Sequence, residues 1–436
     1  MSEIEIGILG LCAIFVLLAL RVPIAITLCG VSFAGVYAIL GGRAAFGMLR
    51  NIPYESTAHW TLSAIPMFLL MGAVAFNSGM VTALYGAARV WLGGLPGGLA
   101  IASNFACAGF AAASGSSVAT ATAMGRIATP EMLRFGYEPG LATGVVAAAG
   151  TLGSLIPPSI LMVLYGTFAE VSISKLMIAG IVPGMLTAVV YAAMIVIRCT
   201  LNPSLAPAAG IAPTWRERFD VLLQIWPLPV LIIGVIGGLY SGLVTATEAG
   251  ALGAFLSFVI AALMGKLNWA VFKASVANAI HGTAVIFFIT IGAILLSRFI
   301  ALSGIPAAMG GFAEAYSLNG IMIVVFCGVV FLIMGMFLDP VGLMLTTLPV
   351  MLPLMHASGY DLIWFGILVI KFVEIGLITP PVGLSVYAIK SAVGSSVSLQ
   401  RIFVGVMWFI LCELLVVVLL VAFPSISLFL PNFMNN

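Results

Sequence analysis

Charge is what this chain has least of. Asp, Glu, Lys and Arg together make up 7% of its 436 residues, against about 25% in soluble globular proteins. The basic residues are scattered, and at a formal net charge of +2 there is no basic face for nucleic acid. The three histidines, His59, His281 and His356, lie far apart and lack the H-E-x-x-H spacing of a zinc enzyme. No G-x-x-x-x-G-K-[ST] stretch occurs, so phosphate-loop nucleotide chemistry is excluded. Six cysteines (Cys12, Cys29, Cys107, Cys199, Cys327 and Cys412) stand singly in or beside apolar segments, with no C-x-x-C pair. They read as small buried hydrophobes. The opening Met-Ser-Glu-Ile-Glu lacks the basic start of a cleaved signal peptide, and the first apolar run is expected to remain as a span.

Apolar surface takes the place of charge. Hydrophobic residues form 63% of the chain and the mean hydropathy is +1.26, more than a water-soluble fold of this size can hide. Stretches 176–198, 244–264 and 400–423 each suffice to cross a hydrocarbon core about 30 Å thick. The expected class is an all-α polytopic membrane protein, embedded in the lipid bilayer.

The chain also repeats itself. A shift of 223 residues lays Pro130, Met132, Gly136, Tyr137, Gly153, Pro157 and Pro158 on Pro353, Met355, Gly359, Tyr360, Gly376, Pro380 and Pro381 without a gap. Apolar coincidences are common, but Gly-Tyr and Pro-Pro pairs at one offset point to duplication. Residues 1–200 and 221–436 are the expected halves, joined by a proline-rich surface linker at 201–220. Each half should hold two plain spans, a longer segment, a re-entrant hairpin, a proline-broken helix and a final span. With the N-terminus outside and the linker inside, eleven Lys and Arg fall on the cytoplasmic side and four on the other, as the positive-inside rule requires. The same arrangement makes the repeat inverted, a common plan among secondary transporters.

Backbone interruptions at membrane depth need a reason, and four of them pair across the repeat. Ser114-Gly115-Ser116-Ser117 pairs with Phe337-Leu338-Asp339-Pro340, and 155–159 (LIPPS) pairs with 378–382 (ITPPV). Proline lacks an N–H and clashes with the preceding turn, so carbonyls near 153–155 and 376–378 lose their helical donors. Such oxygens, with nearby hydroxyls, suit a hard cation. The start of a returning helix attracts a carboxylate. Proline kinks and small residues also serve packing alone; four breaks paired by symmetry favour a cation-and-anion site.

The stretches SGSSVATATAMG, PEMLRFGY, MGMFLDPVGLMLTTLPVMLP, GYDL, ITPPVG and TATEAGALGA resemble the signatures of the large membrane subunit of TRAP (tripartite ATP-independent periplasmic) transporters. The resemblance covers essentially the whole chain. It implies an elevator-type carrier of the bacterial inner membrane, in which a transport domain of hairpins and broken helices slides against a scaffold. It implies coupling to sodium (Na+), an organic acid substrate, delivery by a periplasmic substrate-binding protein, and a small four-helix membrane subunit, here expected as a separate chain. Carried onto this sequence, one sodium site falls at Ser114, Ser116 and Ser117 with carbonyls near Gly153 and Ser154. A second falls at Asp339 and Thr379 with carbonyls near Gly376. The substrate carboxylate falls near Ser116, Ser159 and Gly383. The family supplies the general location and symmetry supplies the individual ligands; Ser116 aligns with Asp339, so the two tips are not equivalent. C4-dicarboxylates, sialic acids, keto acids and sugar acids all fit such a site.

Charge within a span is expensive, about 2.5–3.5 kcal/mol at a helix centre. Lys371 and Glu374 lie three apart on one helical face, where a mutual ion pair and a coupling or gating role both fit. Glu248 suits a helix cap. A protease built on Asp339 and Glu374 would lack its usual Gly-x-Gly-Asp motif. A self-sufficient sodium/dicarboxylate symporter needing no binding protein shares the same logic and stays open as an alternative.

Overall fold

With no water to bond to in hydrocarbon, backbone polar groups must be satisfied inside the segment. A computed structural model describes residues 1–207, 213–308, 311 and 320–433, and every regular element among them is helical. The first half runs α1 (Glu3–Ala19), α2 (Ile24–Leu40), α3 (Gly42–Thr57), α4 (Ala64–Asn77), α5 (Met80–Leu92), α6 (Gly98–Ser114), α7 (Ser117–Arg134), α8 (Pro139–Gly150), α9 (Leu152–Leu155), α10 (Ile160–Phe168), α11 (Ile173–Ala179) and α12 (Ile181–Leu201). The second runs α13 (Trp215–Gln224), α14 (Pro227–Tyr240), α15 (Ala246–Leu263), α16 (Trp269–Leu302), α17 (Gly320–Gly335), α18 (Pro340–Ala357), α19 (Leu362–Ile378), α20 (Leu384–Val393), α21 (Leu399–Ala422) and α22 (Ser425–Phe433). Among the described residues, five helices are long and apolar enough to cross a membrane, or seven if two bent pairs each count as one span. The chain is a multi-pass membrane protein.

Element bounds recur at the offset found in the sequence. α7 opens at Ser117 and α18 at Pro340; α8 with α9 covers Pro139–Leu155, and α19 covers Leu362–Ile378. Gly136 and Gly359, between these elements, both take the left-handed conformation, at φ 76° and 70°. The halves differ in detail. The segment from α8 to α9 is interrupted at Thr151, whose hydroxyl bonds back to the Ala148 carbonyl at 2.6 Å, a contact that bends helices. Glu374 occupies the matching position in the unbroken α19. Of the linker expected over 201–220, residues 208–212 lie outside the described residues, and α13 begins within it at Trp215. Thr214 and Glu217 form a capping box there, which is sufficient to start a helix. Thr245 and Glu248 form another at α15, the capping role foreseen for Glu248.

Several helix neighbourhoods stand out. α2 and α4 lie against α16, and α4 also lies against α15; α7 and α8 pack with α20, α8 also packs with α21, and α17 to α19 pack with one another, while α6 touches α4 and α18 touches α16. Small residues set the closest approaches, as expected where lipid removes the hydrophobic drive between helices. Gly140 and Gly144 of α8 meet Gly405 of α21 so tightly that a methyl on Gly405 would stand 1.9 Å from the Gly140 carbonyl oxygen.

Candidate ion and substrate site

The first hairpin turns at Gly115, whose φ of 61° is open mainly to glycine. A side chain there would meet the Pro158 carbonyl at 2.7 Å, and the Gly115 carbonyl accepts the Ile160 N–H at 3.2 Å. The tip therefore seats backbone to backbone on the proline break. Gly153 sits equally close: its Cβ would stand 2.7 Å from the Ser116 carbonyl oxygen. In an unbroken helix the carbonyls of Gly153 and Ser154 would accept from residues 157 and 158. Both of those are proline and have no N–H to give.

Hydroxyls collect at the same place. Ser114 Oγ lies 2.6 Å from Thr120 Oγ1, and Ser117 Oγ lies 2.6 Å from Ser154 Oγ. Ser117 also donates to Glu374 Oε1 at 2.7 Å. A hydroxyl has one proton, so Ser154 must be the donor in the serine pair. The other Glu374 oxygen is buried and has no hydrogen-bond partner among the described residues. Of the residues assigned to the first sodium site, Ser114, Ser116, Ser117, Gly153 and Ser154 thus lie together, with a carboxylate from the second half beside them. A cavity of about 550 Å³ opens from Ser114 and Ser116 along α7, between α4 and α16.

The second tip is built differently. Asp339 caps α18, accepting from the Val341 and Gly342 N–H groups, both at 3.1 Å. Thr379 bonds back to the Ile375 carbonyl at 2.6 Å. Gly376 packs on Gly335, where its Cβ would stand 2.7 Å from the Gly335 Cα. The expected substrate trio does not share one cavity. Ser116 lines the cavity just described, Ser159 is fully buried as the cap of α10, and Gly383 caps α20 in the left-handed conformation at φ 60°. Val382 and Leu384, flanking Gly383, face a separate cavity of about 880 Å³ beside Phe337 and Leu338.

The expected pairing of Lys371 with Glu374 is corrected by the fold. Lys371 forms its ion pair with Glu413 of α21, and its ammonium donates to Thr187 Oγ1 of α12 at 3.1 Å. Tyr191 of α12 donates its hydroxyl to the other Glu413 oxygen. Although Lys371 and Glu374 share a helical face, each finds a tighter partner on a neighbouring helix.

Residues 11–426 match the family model described as "Tripartite ATP-independent periplasmic transporter, DctM component". The chain belongs to this family. It is 35% identical over 384 residues to the C4-dicarboxylate TRAP transporter large permease protein DctM of Pseudomonas aeruginosa, covering 88% of each chain. It is 33% identical over 428 residues to the ectoine TRAP transporter large permease protein TeaC of Halomonas elongata, covering 95% of this chain and 96% of that one. The fold is similar to that of the Alcanivorax borkumensis YdaH transporter, with a TM-score of 0.62 at 14% identity, covering 87% of this chain and 89% of that one.

Within this family member, sequence reasoning missed Glu413, Tyr191 and Thr187. A signal for Glu413 existed: it is the one carboxylate between Arg401 and the end of the apolar 24-residue α21, and a lone charge in a span asks for a partner. Nothing marked Tyr191 or Thr187, which matter only because α12 crosses α21 at their level. Among the described residues no group of three or more His, Cys, Asp or Glu could hold a metal ion.

Proposed function

We propose that this chain imports a small organic acid by sodium-coupled secondary transport, taking the substrate from a periplasmic binding protein and working with a small four-helix membrane subunit. The single observation that carries the reading is the first hairpin tip. There Ser114, Ser117 and Ser154 hydroxyls and the donor-less carbonyls of Gly153 and Ser154 gather beside a cavity of about 550 Å³. Neutral oxygens with one nearby carboxylate, Glu374, suit a monovalent cation that must leave as well as enter. The Ser116 end of α7 carries N–H groups and the positive end of the helix dipole, which favour a substrate carboxylate. The second tip, with Asp339, Thr379 and Gly376, supplies a second cation position.

In this reading the hairpins and broken helices move as one body, by an elevator motion, against α2, α4, α15 and α16, in halves of inverted topology. The N-terminus is then periplasmic and the membrane is the bacterial inner membrane. Each net charge moving inward through 100 mV adds about 2.3 kcal/mol. The substrates in the relatives' names, C4-dicarboxylate and ectoine, are small and carry carboxylates.

Uptake into proteoliposomes holding this chain and its small subunit tests the reading, with the cognate binding protein and labelled acid outside. Uptake that needs an inward sodium gradient and the binding protein is the expected result. Sodium-dependent uptake without the binding protein would instead indicate a self-sufficient symporter, and uptake indifferent to sodium would end the coupled-transport reading.

A further inference from the structure

The cavity beside the first hairpin carries a feature that the transport reading does not use. Its α7 wall presents Val118, Thr122 and Arg126, four residues apart and so on one helical face. Arg126 is exposed, and among the described residues it makes no ion pair or hydrogen bond. No Asp or Glu lines this cavity. Opposite, α16 presents Asn278 and His281, three apart and again on one face. A guanidinium in a cavity without acids, facing two more polar side chains, is an arrangement for an anion.

Its position relative to the tip matters. Arg126 follows Ser117 by nine residues, about 13 Å of helix. Long side chains on a helix lean toward its N-terminus, here toward Ser116, so the guanidinium reaches back into the space below the tip. Ser116 and Arg126 thus line one cavity from points about three helical turns apart along α7.

We propose that Arg126, facing Asn278 and His281, binds the second negative group of a small dianionic substrate whose first carboxylate lies at the Ser116 tip. Arg126 is then a specificity-determining residue: it selects dianions over monoanions of the same length. The inference rests on the transport reading only for the placement of the first carboxylate.

The test is ligand-induced thermal stabilisation of the chain purified with its small subunit, in sodium buffer. The probes are succinate and its monoamide, succinamate, which keeps the length and loses one charge. Succinate should stabilise the wild type at a midpoint about 10–100-fold lower than succinamate, the worth of a charge-assisted bidentate contact. Arg126→Gln should raise the succinate midpoint by the same factor and leave succinamate unchanged. Arg126→Lys should fall between, keeping charge but losing the fork. Equal midpoints for the two probes on the wild type, an unaltered succinate midpoint in Arg126→Gln, or no stabilisation by succinate would each overturn the proposal. Arg126 would then serve only as a positive charge near the membrane surface. Sodium-driven uptake is read separately, so binding that behaves as expected without sodium-dependent uptake overturns the transport reading and leaves Arg126 assigned.

Discussion

Replacing Lys371 alone should harm the protein more than replacing Lys371 and Glu413 together. The side chains are 2% and 0% exposed, so neither charge has water to fall back on. Removing one partner of such a pair costs about 3–5 kcal/mol, because a bare charge stays buried, whereas removing both is often close to neutral. Lys371→Met strands Glu413 with only the Tyr191 hydroxyl as donor. Lys371→Met with Glu413→Gln leaves an amide whose oxygen still accepts from Tyr191, so most of the loss should return. The coupling between the two positions is then about 2–3 kcal/mol. Thermal unfolding of the purified membrane complex, followed by tryptophan fluorescence, reads it. At roughly 2 °C per kcal/mol for a long chain, Lys371→Met should lower the midpoint by about 5–10 °C and the double variant by no more than a few. The same cycle with Glu374→Gln in place of Glu413→Gln should show weaker coupling, since Glu374 is held by Ser117. Single effects that simply add at positions 371 and 413 would refute the reasoning, and stronger coupling to Glu374 would restore the pairing suggested by sequence spacing.

Ser117→Ala removes the hydroxyl shared by Ser154 and Glu374. The half-saturating sodium concentration for uptake should rise about tenfold, while stability falls only by the ~1–3 kcal/mol of a buried group left unpaired; an unchanged sodium curve counts against the first cation site. Gly405→Val pushes a side chain into the Gly140 backbone, where no flexible atom can yield. Overpacking of about 3 kcal/mol or more should appear as loss of a monodisperse peak on size exclusion, and normal behaviour would show that α8 and α21 can separate cheaply. Burial pushes the Glu138 carboxyl up, but the Gly140 and Leu141 N–H groups and the Arg401 guanidinium outweigh it and hold the group below its usual 4.5. A depressed carboxyl contributes stability above its unfolded pKa and loses it as pH falls through the folded one. Glu138→Gln should therefore narrow the drop in thermal midpoint between pH 6 and the region below 4.5. Parallel curves for variant and wild type would remove Glu138 from the acid response.

Much of the site could be read from single residues because its causes are local. A proline has no N–H whatever surrounds it, so the breaks at Pro157-Pro158 and Pro380-Pro381, and the Gly153 and Ser154 carbonyls left without helical donors, were legible in the chain; at the second break the Thr379 N–H still reaches the Gly376 carbonyl at 3.2 Å. The turn at Ser114–Ser117 was legible for the same reason, since a glycine among serines interrupts a helix of small apolar residues. At Asp339 the local sequence decided less. Its place at a tip was evident, but two backbone N–H groups of its own helix now hold its carboxylate, a choice that only the φ and ψ of residues 339–342 settle.

The membrane environment, the helical class and the 223-residue repetition followed from the sequence alone, because hydropathy, chain length and backbone chemistry act without regard to neighbours. Tertiary structure alone decided which charges meet. Lys371 and Glu374 are neighbours along α19, yet the crossing of α12 and α21 brings Glu413, Tyr191 and Thr187 to the lysine, and the seating of the hairpin tip brings Ser117 to Glu374. A buried charge takes the partner that best replaces its lost water. That partner was set by how helices far apart in the chain pack, which no spacing along one helix can reveal.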